Sequence, residues 1–184
     1  MSQPTLTTDH LVLRPFTAAD ADDVQTIAGE REIAYNTATI PHPYPEGAAE
    51  AWILAHADAF QAKKGAVFAI TLRETGELVG AVGLNVEPEH TRAELGYWIG
   101  KTFWNHGYAT EAARQVVRFG FQAFGLLRLY ARAFVRNQAS RRVLEKIGMR
   151  YEGRLRGHFL KWGEPLDLDM FGLLATDTSP GKGT

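Results

Sequence analysis

Short apolar runs bounded by glycine, proline and polar turns recur along the chain. They predict strands at residues 10–16, 67–72, 78–84, 93–99, 127–135, 151–160 and 166–174. The first run stops near Pro15. Glu74-Thr75-Gly76 and Trp162-Gly163-Glu164 supply hairpin turns. Longer stretches predict helices at residues 17–29, at about 46–63 ahead of Gly65, at 107–124 closed by Gly125, and at 137–147 closed by Gly148. Thr17 stands at a helix start with Asp20 in the capping-box position. Residues 34–45 carry Pro41, Pro43 and Pro45 with Tyr35 and Tyr44 among them, which predicts a stiff aromatic loop. The order β-α-α-β-β-β-α-β-α-β-β argues for an α/β (α+β) fold, a mixed sheet with helices on its faces. One domain is expected over residues 1–175, with a small polar tail at 176–184 expected to fray.

Composition narrows the function classes. The chain has 184 residues, enough for one sizeable core. A formal net charge of −1 gives no electrostatic case for nucleic acid or an anionic membrane as partner. Cysteine is absent, which excludes disulfides, thiolate zinc sites and a cysteine nucleophile and fits a reducing cytoplasm. Residues 1–10 are polar and lack an apolar signal core, and no apolar run approaches a membrane span. His42, His56, His90 and His158 show no metal-ligand spacing, so no metal is expected.

Two segments carry candidate chemistry. In ELGYWIGKTFWNHGYATEA, residues 94–112, a strand ends at Gly100 and a helix begins near Gly107. Small residues at Gly107 and Ala109 let backbone amides approach a ligand, and the helix start adds unpaired N–H donors and a partial positive charge. That combination suits a pyrophosphate; a glycine turn that merely starts a helix is the plainer reading. In NQASRRVLEKIGM, residues 137–149, Asn137 is placed to cap a helix and Ser140 sits in its first turn, a pattern helices favour without any chemistry.

Together with the strand RLYARAFVRN (128–137), these segments resemble the core of the GNAT superfamily of N-acetyltransferases, and more narrowly its RimJ/RimL-like branch. The resemblance extends to LVLRPF, HPYPEGAAEAWI, GELVGAVGL and EGRLRGHFLKWGEPLDLDMFGLL, nearly the whole chain in the family's order. The superfamily's Q/R-x-x-G-x-G/A motif reads here as Trp104-Asn105-His106-Gly107-Tyr108-Ala109; an aromatic at the first position is usual in this branch. The resemblance implies a mostly antiparallel sheet with a splayed central strand pair, and acetyl-CoA as acetyl donor. Its pantetheine arm would pair with backbone groups near Trp98 and Ile99 and with Asn137. Its pyrophosphate would rest on amides of the turn, with Trp104, Asn105, His106, Gly107, Tyr108, Ala109 and Thr110 contributing. Ser140 matches the position that protonates the leaving thiolate, with Tyr130 an alternative donor or a core residue. Glu94 matches a carboxylate proposed as general base.

A base answers a physical need, since a primary amine is mostly protonated at neutral pH and only its neutral form attacks a thioester. Strand alternation puts Glu94, Gly96 and Trp98 on one face and Leu95, Tyr97 and Ile99 on the other. The competing reading of Glu94 is a salt bridge to Arg92 or Arg132. Tyr35, Tyr44 and Trp52 fall where the family's acceptor wall lies, and the proline-rich loop favours substrate contact for the two tyrosines. The implied function is acetyl transfer to a primary amine, with a protein or peptide N-terminus ahead of small-molecule amines; dimers are common in the family, so a homodimer is expected. A non-catalytic acyl-CoA-binding module would keep the Gly107 turn without needing Glu94 or Ser140. A structural protein on the same scaffold would bind no CoA.

Overall fold

A computed structural model describes residues 2–178. Its strands are β1 (Leu6–Thr7), β2 (Leu11–Pro15), β3 (Gly65–Leu72), β4 (Leu78–Glu87), β5 (Arg92–Ile99), β6 (Arg128–Phe134), β7 (Arg150–Lys161) and β8 (Glu164–Leu174). They form one sheet in the order β1-β2-β3-β4-β5-β6-β8-β7. The helices are α1 (Ala21–Ala28), α2 (Arg31–Asn36), α3 (Ala48–Gln61), α4 (Tyr108–Phe124) and α5 (Gln138–Lys146). Among the described residues no helix is long and apolar enough to cross a membrane.

The predicted period-2 alternation sorts side chains onto two faces. Phe68, Ile70, Val82, Leu84, Leu95, Leu129 and Phe171 pack against the apolar stripe of α4, where Ala112, Ala113, Val116 and Val117 are buried. Ala69, Ala81 and Trp98 face the other way and meet Val24, Ile33 and Ile53 from α1, α2 and α3. Two apolar clusters therefore sandwich the sheet, as expected. Gly125 and Gly148 follow α4 and α5 with left-handed φ, the expected helix stops.

Neighbouring strands run antiparallel except β5 and β6, which are parallel because the α4 crossover joins them. Their pairing covers only Arg92↔Arg128, Ala93↔Leu129 and Glu94↔Tyr130. Beyond Glu94 the strands part: β5 stays with β4 up to Ile99, while β6 follows β8 to Phe134. This is the expected splayed pair, and it opens the middle of the sheet.

Three expectations change. A short helix, α2, occupies residues 31–36, where the proline-rich loop was expected to begin at Ala34. The N-terminal helix opens as a 3-10 turn, Ala18–Asp20, in which the Asp20 carboxylate accepts the Thr17 N–H at 2.7 Å and pairs bidentately with Arg14. Burial opposes ionisation of Asp20, but the bonds from Arg14 and Thr17 outweigh it and hold the carboxyl below its ordinary range. The first residues of the expected tail take up regular structure. Ala175–Asp177 forms a 3-10 turn whose Asp177 accepts the Leu174 N–H at 3.0 Å and pairs with Arg150. Residues 179–184 lie outside the described residues.

Candidate active site

The opening between β5 and β6 leads into a cleft of about 1260 Å³ that reaches both faces of the sheet. One side is built by the β5–α4 turn and α5. Gly107 precedes α4 at φ +85°, and a Cβ placed there would meet no protein atom within 4 Å. Asn105 is also left-handed, at φ +66°. The backbone thus curls to aim the first-turn amides of Tyr108, Ala109 and Thr110 outward, where no intrahelical acceptor exists for them. An empty Cβ direction beside unpaired donors fits a pyrophosphate.

Trp104, Asn105, Gly107, Tyr108, Ala109 and Thr110 all line the cleft. The Trp104 indole donates to the Ile99 carbonyl at 2.6 Å, tying the turn to the end of β5. That gives the aromatic residue at this position a structural task, and it occupies a carbonyl expected to meet the pantetheine. His106 does not line the cleft: its ring stacks on Tyr108 at 5.4 Å and its Nδ1 lies 2.9 Å from the Trp104 carbonyl. Trp98 lines the cleft while most of its ring is buried against α1 and α3.

Asn137 caps α5, its Oδ1 accepting the Ser140 N–H at 3.0 Å, and its Nδ2 donates to the Asn36 carbonyl at 3.3 Å. The same residue therefore touches both the helix start and the end of α2. Ser140 Oγ lies 2.8 Å from the Tyr97 hydroxyl. Tyr97 is the partner that the sequence reading overlooked; its position on the Leu95–Ile99 face was legible, but its reach across to α5 was not. Burial pushes the Tyr97 phenol up to about 12, with the Ser140 bond opposing, so it stays protonated at neutral pH. The alternative donor Tyr130 is excluded from this pair by the pleat. It lies on the opposite face, where it donates to Glu87 at 2.8 Å, and burial with that bond pushes it to about 12.

The opposite face of β5 carries Glu94. Its two oxygens accept from Arg132 Nε at 2.7 Å and Nη2 at 2.8 Å. The ion pair weighed as the plainer reading is thus present, with Arg132 rather than Arg92, which pairs with Glu87. Each carboxylate oxygen has two lone pairs, so the bidentate pair leaves one on each free. Glu94 still lines the cleft, as do Tyr44 and Trp52.

Tyr35 does not line the cleft. Its ring lies under the Arg136 guanidinium at 3.6 Å and its carbonyl accepts from Arg136 Nη2 at 2.6 Å, so it serves as a latch between α2 and the end of β6. The cleft wall beyond α2 is held by Lys161, whose ammonium donates to the Thr37, Ala38 and Ile40 carbonyls at 2.9, 3.3 and 2.7 Å. Burial, with nearby Arg136, pulls this lysine below its ordinary range. No sequence signal distinguished Lys161 from a surface lysine. One cluster was also unexpected: Glu87, Glu89 and His90 bring ligand atoms within 4.8 Å of one another, although Glu87 is already engaged by Arg92 and Tyr130.

Comparison with known proteins agrees with this geometry. The family model described as "Acetyltransferase (GNAT) domain" matches residues 10–150. The chain is 35% identical over 177 residues to an uncharacterized N-acetyltransferase, YoaA, of Bacillus subtilis (strain 168), covering 93% of this chain and 97% of that protein. A GNAT-family acetyltransferase of Bacillus anthracis superposes with a TM-score of 0.82 at 24% identity, covering 93% and 98% of the two chains. RimL, a ribosomal L7/L12 α-N-protein acetyltransferase solved with coenzyme A, superposes at 0.85 with 16% identity over 93% and 98%, a likeness of fold.

Proposed function

The chain belongs to the GNAT acetyltransferase family and is an acetyl-CoA-dependent N-acetyltransferase, and from that premise we propose that its acceptor is the α-amine of a protein or peptide N-terminus. The observation that carries the reading is the parting of β5 from β6 after Glu94↔Tyr130, which joins a phosphate-suited turn on one face to an open floor on the other. Bound across that opening, acetyl-CoA supplies the acetyl group as a thioester. The amides of residues 105–110 hold the pyrophosphate, and Asn137 positions the arm. The acceptor enters from the face of Glu94.

The amine nitrogen forms the new C–N bond and the C–S bond breaks. Glu94 takes the amine proton, directly or through water, on a lone pair left free by Arg132. Ser140 gives its proton to the departing thiolate, and the Tyr97 hydroxyl at 2.8 Å, which also lines the cleft, passes one back to it from solvent. An ammonium acceptor loses two protons on the way to the amide, which Glu94 passes to solvent; one is returned to sulfur through Ser140 and one net proton is released.

The choice of an α-amine rests on its titration near pH 8, well below a lysine side chain, so a modest base suffices. The structural neighbour RimL, a ribosomal L7/L12 α-N-protein acetyltransferase, supports a protein N-terminus. The test is CoA release with free peptides, the same peptides N-terminally blocked, and a panel of small amines. Labelling of free but not blocked N-termini is expected. Transfer to small amines with no labelled N-terminus would refute the acceptor and leave the acetyltransferase intact.

A further inference from the structure

Gly96 lies in the middle of β5, a central strand, yet it is exposed. Glycine weakens a strand and persists there when something requires it. Other glycines of the sheet interior have a visible reason. A Cβ on Gly80 would stand 2.2 Å from the Trp98 carbonyl, and one on Gly83 would stand 2.9 Å from the Ala66 carbonyl. Turn glycines have left-handed φ. Among the described glycines, Gly96 alone has neither: its φ is not left-handed and an added Cβ would meet nothing within 4 Å. Its register with Gly83 is regular, so no bulge explains it. Protein packing therefore leaves room at this position for a side chain that the sequence does not supply.

That room faces the cleft. Alternation places it on the side of Glu94 and Trp98, at the strand edge from which β6 has already departed. Two residues in each direction put Glu94 and Trp98 about 13 Å apart along the strand. A side chain at position 96 would stand upright between them, across the route by which an amine descends to the opening.

We propose that Gly96 is a specificity-determining residue of the acceptor side, its missing side chain leaving a slot between the Glu94–Arg132 pair and Trp98 that admits an amine whose nitrogen-bearing carbon is branched. The inference rests on the reading that the acceptor enters from the Glu94 face. A straight-chain amine needs only the width of a methylene there; the α-carbon of a peptide N-terminus carries a side chain and a carbonyl as well.

The test compares the parent with Gly96→Ala and Gly96→Val. Acetyl-CoA affinity is read by calorimetry, stability by thermal unfolding, and kcat/KM with unblocked peptides and with straight-chain primary amines of similar length. Both variants are expected to keep acetyl-CoA affinity and a Tm no lower than the parent's, since valine suits a strand and an added Cβ meets nothing within 4 Å. For peptides, kcat/KM should fall by about 10- to 200-fold in the valine variant through a raised KM, with a smaller fall in the alanine variant and a smaller fall for straight-chain amines. Unchanged peptide kinetics in Gly96→Val, equal losses for the two amine classes, lost acetyl-CoA affinity or a lowered Tm would each overturn the proposal. The parent's own ranking of the classes tests the N-terminal reading separately, while the variant-to-parent ratio decides Gly96. A parent that acetylates neither class overturns both.

Discussion

His56 on α3 offers a measurement that isolates one buried group. Its ring lies 4.4 Å from Trp52 and 5.6 Å from Phe16, and neither ring nitrogen has a hydrogen-bond partner. Burial lowers its pKa from 6.5 to about 4. Between those values the unfolded chain binds a proton that the folded protein refuses, so stability present above pH 6.5 is lost as pH falls toward 4. The full shift corresponds to about 3.4 kcal/mol at 1.36 kcal/mol per pH unit. Because the ring is only partly buried, screening reduces this to about 2 kcal/mol.

His56→Phe keeps an aromatic ring against Trp52 and Phe16 and removes both unpartnered nitrogens. It should stabilise by about 1 kcal/mol at neutral pH, the low end for an unsatisfied buried group. At pH 5 about 1 kcal/mol more is gained, because the parent has begun to lose stability and the variant has not. With about 2–4 °C per kcal/mol for a chain of this length, the variant's advantage in Tm should widen from about 3 °C at pH 7.5 to about 6 °C at pH 5. Calorimetric scans of both proteins at the two pH values measure this. Carboxylates that titrate in acid, Asp20 among them, are common to both and cancel. A difference in Tm that is equal at the two pH values, or larger at pH 7.5, would refute the argument.

Gly107→Val should lose acetyl-CoA affinity by calorimetry, whereas Gly107→Asn, which tolerates left-handed φ, should fold like the parent; undiminished affinity in a folded valine variant would remove the phosphate assignment. Glu94→Gln should keep acetyl-CoA binding and lower kcat by about 10²-fold or more, with partial recovery as pH rises and free amine accumulates; equal rates for variant and parent from about pH 6 to about pH 9 would exclude a base role. Ser140→Ala and Tyr97→Phe should each lower kcat by less than about 10²-fold, since a thiolate is already a fair leaving group, and the double variant should be no slower than the slower single one; additive losses would show that the 2.8 Å contact carries no shared proton path.

Much of this was written along the chain. Period-2 alternation assigned Leu95, Tyr97 and Ile99 to one face and Glu94, Gly96 and Trp98 to the other, because a strand's pleat is a property of consecutive residues. Gly125 and Gly148 marked helix ends because only glycine adopts left-handed φ without cost. The Gly107 turn was legible for the same reason. Elements too short to show a period escaped notice: β1 has two residues and α2 has six. Partnership across elements was beyond any local pattern. The sequence offered Arg92 and Arg132 as equal partners for Glu94, and only the place where β6 runs beside β5 chose Arg132. It left Tyr130 open as an alternative donor to Ser140 or a core residue, whereas the pleat turns Tyr130 to Glu87 and brings Tyr97 to α5. Tyr35 was expected in the acceptor wall and instead stacks beneath Arg136, while Lys161, distant in sequence, crosses from β7 to hold residues 37–40. Local periodicity records which way a side chain points; what it meets there is set by the packing of strands and helices far apart in the chain, and that was decided only in the tertiary structure.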